Sequence, residues 1–255
     1  MVDTKRAKLG EDSATIKGSD GNTAAAWSVI LPFLPRHEHP SLAMCSSSLS
    51  RICRRHHSTV QADISNGQEP LPIPVQNDVD DELYPTGFAY LTSLRSRVPL
   101  PPPLPRHARV QVFKHKSKGW SLRATTPIPA QTFVGEYVGR LVGTQAMDRS
   151  STYIVSIREE AEDMIWRTNV DARDVGNFTR FINHACVPNA RWDTYRGDGP
   201  AASTFCPRIH VLSLRDIHAG EEITVDYGVA CGVGATPCGC GSIKCRGFLP
   251  FDRTL

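Results

Sequence analysis

The chain is predicted to be mostly β with short helices, preceded by a small helical hairpin. Three observations carry this expectation. From Arg109 onward, short runs rich in β-branched and aromatic residues alternate with Gly, Pro, Asp and Asn. Between residues 24 and 57 apolar side chains recur at helical spacing instead. Between these two regions Pro70, Pro72, Pro74, Pro85, Pro99, Pro101 to Pro103 and Pro105 exclude continuous helix.

Taken in order, residues 1–22 are rich in Lys, Asp, Ser, Gly and Thr without periodic apolar positions, the composition of a disordered tail. Residues 23–57 carry Ala25, Trp27, Val29, Ile30 and Leu34, then Leu42, Met44, Leu49 and Ile52, spaced for two amphipathic helices around Pro35 to Pro40. Residues 58–107 read as a proline-rich linker or strap in extended polyproline conformation, and Pro99 to Pro105 is also a candidate ligand for an SH3-like partner. Residues 108–229 hold the strands, at Val110–Phe113, Thr132–Val138, Tyr153–Ile157, Ile209–Leu212 and Ile223–Val225. Short helices are expected at 144–149 and 171–181, and a loop insertion at 195–200. Residues 230–255 form a cysteine-bearing tail.

Composition bounds the function. With 255 residues, 40% apolar and 22% charged, the chain has the texture of a folded globular protein with one good-sized core. A net charge of +3 points to no sequence-specific nucleic-acid binding, and the longest apolar stretch, Ala24 to Leu34, is too short for a bilayer span. The start has no secretory or transit pattern, so a nuclear or cytosolic chain is expected; Lys5-Arg6-Ala-Lys8 is a short candidate nuclear signal. Six of the eight cysteines fall in the last third of the chain, at 186, 206, 231, 238, 240 and 245, which favours metal binding over disulfides.

Three separated motifs carry the chemistry. They are Gly176-Asn-Phe-Thr-Arg-Phe-Ile-Asn-His-Ala-Cys186, Gly220-Glu-Glu-Ile-Thr-Val-Asp-Tyr-Gly228, and Cys238-x-Cys240-x4-Cys245. In order and spacing they resemble the catalytic core of SET-domain protein lysine methyltransferases with a post-SET zinc tail. The resemblance implies a β-clip type fold of small curved sheets with a pseudoknot. It also implies transfer of a methyl group from S-adenosyl-L-methionine to lysine. By the same resemblance Tyr227 is the catalytic tyrosine and Tyr153 a second one, while Lys118, Gly119, Trp120, Arg180, Asn183, His184 and Tyr227 bind the cofactor. Cys186, Cys238, Cys240 and Cys245 would close one structural Zn2+ site. The family usually continues Gly-Trp-Gly where this chain has Gly119-Trp120-Ser121.

The chemistry of these residue types suits that role. A neutral phenol orients an amine and accepts weak CH···O contacts from a polarised methyl. An apolar channel ending at a sulfonium lowers the lysine pKa by desolvation and like-charge repulsion, so no dedicated base is needed. Val225, two residues before Tyr227, leaves room for di- or trimethylation. Over about residues 108–250, and faintly in the N-terminal part, the chain is similar to short plant suppressor-of-variegation-related (SUVR-type) enzymes of the histone H3 lysine-9 class, which implies action on a histone tail or nucleosome in nuclear chromatin. Residues 58–107, however, contain no cysteine where that group carries a zinc-binding pre-SET module. Two alternatives remain: a methyltransferase for a non-histone protein, and an inactive interaction module. Residues 23–57, faintly F-box-like, are a candidate adaptor surface.

Overall fold

A computed structural model describes residues 20–31, 34, 38–94, 106–161, 164–197, 206–228 and 236–250. Residues 1–19 of the expected tail and the segment Pro99 to Pro105 lie outside the described residues. The chain divides into two compact units, residues 1–56 and 57–255.

The first unit is helical: α1 (Asp20–Ile30), α2 (His39–Cys45) and the beginning of α3 (Ser47–Ala62). Ser46 separates α2 from α3 by turning extended, and its hydroxyl accepts the Leu49 amide at 3.1 Å, as an N-cap does. Here there are three helical segments rather than two, and α3 runs past residue 57 because nothing from Ser47 to Ala62 is Gly or Pro. The His39 and His56 rings meet edge to face at 5.7 Å, joining α2 to α3.

Among the described residues, the second unit is built of thirteen short strands in sheets of two or three. Strand β1 (Val75–Gln76) pairs parallel with β3 (Val110–His115), and β3 forms a hairpin with β4 (Gly119–Ala124). Strand β2 (Ala89–Tyr90) pairs parallel with β9 (Val175–Gly176). A second sheet runs β11 (Ala190–Tyr195), β12 (Arg208–Ser213), β5 (Phe133–Glu136), and a third β6 (Arg140–Val142), β8 (Met164–Asp171), β7 (Ile154–Ala161). Strand β10 (Asn183–His184) pairs parallel with β13 (Thr224–Val225). The fold is mostly β with few helices, as expected.

Residues 58–94 are part of this unit rather than a loose linker. Val60, Ile64, Ile73, Val75 and Tyr84 are buried in the same core as Val112, Leu122, Val134, Phe178, Val211, Ile223 and Val225. Prolines permit it because they lose only the donor: Pro74 still accepts the Val112 amide at 3.0 Å. Asp63 shapes the connecting loop, accepting from the amides of Ser65, Gly67 and Ile73 at 2.8 to 3.0 Å. Arg106, also buried, donates to Leu71 O at 2.6 Å and Ala108 O at 2.7 Å, with its guanidinium 4.9 Å from the Phe178 ring centre.

Elsewhere the local expectations need correction. The helix expected over 171–181 is the end of β8, then β9, then a single 3₁₀ turn, Phe178–Phe181. Asn177 starts that turn by accepting the Thr179 amide at 3.0 Å while its own amide donates to Glu136 O at 2.9 Å. The turn also rests on Gly135, where a Cβ would stand 2.5 Å from Phe178 Cζ. Residues 144–149 yield only the 3₁₀ turn Thr144–Ala146, and β11 extends to Tyr195, where a loop was expected. Beneath β5 and β12, Arg208 and Glu136 form a buried bidentate pair at 2.6 and 2.8 Å.

Candidate active site

The parallel pairing of β10 with β13 builds the site. Its register sets Asn183 against Thr224 and His184 against Val225, and Ala185 N donates to Val225 O at 2.9 Å. On its other side the 221–224 segment is bound to β4: Ile223 N donates to Leu122 O at 2.8 Å and Ala124 N to Glu221 O at 3.0 Å. Asn189 holds it as well, accepting from Thr224 N at 2.9 Å and donating to Glu222 O at 2.8 Å. Three distant stretches of sequence thus converge where β13 ends, two residues before Tyr227.

His184 is buried. Tyr227 N donates to its Nδ1 at 3.2 Å, and its Nε2 lies 3.4 Å from Cys186 Sγ. Burial holds its pKa below the ordinary histidine value, against the pull of Asp226. Asn183 donates through Nδ2 to Ser121 Oγ at 2.7 Å and to Glu222 Oε1 at 3.1 Å. Glu222 in turn forms an ion pair with Lys118. The Tyr227 hydroxyl donates to Ile182 O at 3.0 Å. Burial of that hydroxyl, then the neighbouring Tyr153 and Glu222, push its pKa upward, although the residue as a whole is 42% exposed.

Behind these residues the tail folds back on itself. Cys238 N donates to Gly247 O at 2.9 Å, Leu249 N to Thr236 O at 2.9 Å, and Pro237 bridges Phe248. The Sγ atoms of Cys186, Cys238, Cys240 and Cys245 all lie within 4.8 Å of one another. Cys186 and Cys238 are 3.8 Å apart, the edge of a tetrahedron with zinc–sulfur bonds of about 2.3 Å. Arg246 N and Gly247 N donate to Cys186 and Cys245 sulfur at 3.3 and 3.4 Å, the outer-shell donors that thiolates take. Four thiols at this spacing can hold a zinc ion.

A cavity of about 390 Å3 opens between the tail and the strands, lined by Ser117, Lys118, Asn183, His184, Tyr227 and Cys238, with Thr236, Pro237, Gly239 and Leu249. Of the residues singled out by sequence, Lys118, Asn183, His184, Tyr227 and Cys238 meet here. Gly119, Trp120, Arg180 and Tyr153 do not line the wall. Gly119 makes the turn into β4 at φ +75°, and Trp120 lies under the Lys114 ammonium at 4.8 Å. Arg180 is sandwiched by Tyr153 at 4.0 Å and Phe88 at 4.4 Å, its Nε donating to Ala172 O at 2.9 Å. Glu222 and Ser121 are the site residues that sequence reasoning passed over.

The SET-domain family model matches residues 119–228. The histone-lysine N-methyltransferase SETMAR of mouse is 33% identical over 172 residues, 58% of this chain and 54% of the mouse protein. A human histone-lysine N-methyltransferase, H3 lysine-36 specific, is 34% identical over 155 residues, 56% of this chain and 5% of that protein. The tobacco histone-lysine N-methyltransferase, H3 lysine-9 specific SUVH1, is 26% identical over 263 residues, 73% of this chain and 37% of that protein. The chain spans about half the length, or less, of the curated relatives it matches. In three dimensions it is similar to Arabidopsis thaliana SUVH6 in complex with SAM, with a TM-score of 0.63 at 24% identity, covering 74% of this chain and 55% of that one.

Proposed function

We propose that this chain, which carries a SET domain over residues 119–228, is an S-adenosylmethionine-dependent protein-lysine N-methyltransferase. The observation that carries the proposal is the cavity on which Asn183, His184 and Tyr227 converge beside a four-cysteine cluster. Its volume suits a cofactor-sized ligand. Its polar lining suits the cofactor's chemistry: a cationic end, an anionic end and an adenine edge. When bound there, S-adenosylmethionine supplies a methyl group on a sulfonium.

The chain's own residues do the rest. Asn183 has spent both amide hydrogens on Ser121 and Glu222, so Oδ1 remains as an acceptor for an ammonium. Lys118, which shares the Glu222 carboxylate with Asn183, offers cationic character to a carboxylate, tempered by Glu222. The raised pKa of Tyr227 keeps its phenol neutral, and its hydrogen is committed to Ile182 O, which leaves the oxygen lone pairs for the methyl hydrogens. Tyr153 raises the Tyr227 pKa yet is absent from the cavity wall, and we assign it to the lysine side of the site. Cys186, Cys238, Cys240 and Cys245 would hold a zinc ion, which would tie the tail beside the cofactor cleft.

We further propose histone H3 as substrate and lysine 9 as the target residue, in the nucleus. The H3 lysine-9 specificity named for the tobacco relative supports this. The test is incubation of zinc-replete protein with labelled S-adenosylmethionine and H3, nucleosomes or cell extract, beside Tyr227→Phe. Label on H3 lysine 9 that disappears in the variant is the expected result. Label on H3 lysine 36 or on an extract protein alone would overturn the target, and no label with any substrate would overturn the activity.

A further inference from the structure

We infer that Ser121 is a positioning residue for the cofactor: its buried hydroxyl orients the Asn183 amide so that the amide oxygen faces the cofactor's α-ammonium. The inference rests on the methyltransferase reading. Ser121 lies on β4 and is fully buried. Its Oγ is 3.3 Å from Gly119 O, to which it donates, and 2.7 Å from Asn183 Nδ2. A serine hydroxyl has one hydrogen. With that hydrogen spent on Gly119 O, the oxygen accepts, and the end of the Asn183 side chain that meets it has to be the NH2 group.

Glu222 works in the same sense. Its Oε1 accepts the second amide hydrogen at 3.1 Å, and Lys118 anchors its other oxygen. Two acceptors, one neutral and one anionic, therefore fix which way round the amide stands. Asn183 itself lines the cavity, and among the described residues its Oδ1 meets no donor. A lone acceptor at the wall attracts a primary ammonium and repels a carboxylate, so it sets the orientation of the amino-acid end of the ligand. Glycine, usual here in the resembling family, has no hydroxyl; the amide would then rest on Glu222 alone.

The test compares two ligands by titration calorimetry on the full, zinc-replete chain. S-Adenosylhomocysteine carries the amino-acid end, whereas 5′-methylthioadenosine lacks it. Ser121→Ala is expected to weaken S-adenosylhomocysteine about three- to tenfold, the value of one hydrogen bond, and to leave methylthioadenosine unchanged. Ser121→Gly, a second variant in case alanine disturbs the strand, is expected to behave alike. In an Asn183→Ala background, Ser121→Ala should add no further loss. Equal weakening of both ligands would make Ser121 merely structural, and unchanged S-adenosylhomocysteine binding would remove its role; either overturns the inference alone. Wild-type protein that binds neither ligand would overturn the methyltransferase reading and this inference with it.

Discussion

Arg246 closes on Asp226. Its Nη2 donates to Asp226 Oδ1 at 2.7 Å and stands 3.3 Å from His184 Nε2, while its backbone N–H donates to Cys186 Sγ. Asp226 immediately precedes Tyr227, so one tail residue touches the cysteine cluster, the buried histidine and the strand end that presents the phenol. The pair is about one-third exposed on each side, and such pairs contribute under about 1 kcal/mol to stability. Arg246→Ala is therefore expected to keep its zinc and its melting temperature within a few degrees, yet to raise the KM for the cofactor about three- to tenfold. Arg246→Lys should recover part of the loss. Steady-state kinetics with unchanged KM in both variants would refute the link.

Removing the metal should reach further. Cys186 sits two residues from His184, and the tail that carries Cys238 also forms a wall of the cavity. Cys240→Ser, or extraction with a strong chelator, is expected to lose one equivalent of zinc and at least about tenfold in cofactor affinity, since the wall is ordered by the ion. Elemental analysis paired with a binding titration checks this. A metal-free protein that binds the cofactor normally would show the cluster to be idle.

The Glu136–Arg208 pair tests the core. Burial pushes the Glu136 carboxyl up and Arg208 pulls it back down, the balance of a desolvated ion pair. Glu136→Leu removes the carboxylate that balances the buried Arg208 charge and is expected to cost about 3 to 5 kcal/mol in urea unfolding. Adding Arg208→Met should return most of that stability. If the double variant is as unstable as the single, the loss comes from packing rather than from the uncompensated charge.

His210 sets an acid limit. It is 2% exposed, stacked on Tyr195 at 4.8 Å, and burial together with the Arg208 charge lowers its pKa to about 4. The unfolded chain binds a proton near pH 6.5 that the folded one refuses, so stability is full above pH 6.5 and falls as pH drops toward 4. The amount at stake is on the order of 3 kcal/mol. His210→Phe keeps a stacking ring but cannot titrate. Its urea midpoint should lose less between pH 7 and pH 4.5 than that of the wild type, and equal losses would disprove the assignment.

Motifs contiguous in sequence are legible where their geometry is local. Asn183 and His184 lie side by side on β10, and β13, ending two residues before Tyr227, brings its phenol to them. Glu222 is not legible, because it stands next to Glu221 with nothing in composition to separate them. Strand alternation alone sends Glu221 to Arg215 at 2.6 Å and Asn189 at 2.9 Å, and Glu222 to Lys118 and Asn183. The strap hides for another reason. Its prolines erase periodicity, while its anchors, Arg106 with Leu71 and Tyr90 with Glu69, join residues tens of positions apart. Arg180 reads as a ligand contact from its motif, yet three rings, those of Tyr153, Phe88 and Phe181, take it as their neighbour.

The Lys118–Glu222 ion pair joins residues 104 positions apart, and the cavity wall is completed only by residues 236–249. A chain emerging from the ribosome therefore lacks this cavity until residues 236–249 have been released and folded back. Contacts of such long range close slowly. Synthesis halted before the cysteine tail yields a polypeptide able to bury much of its core but lacking three of the four clustered cysteines and one wall of the cavity.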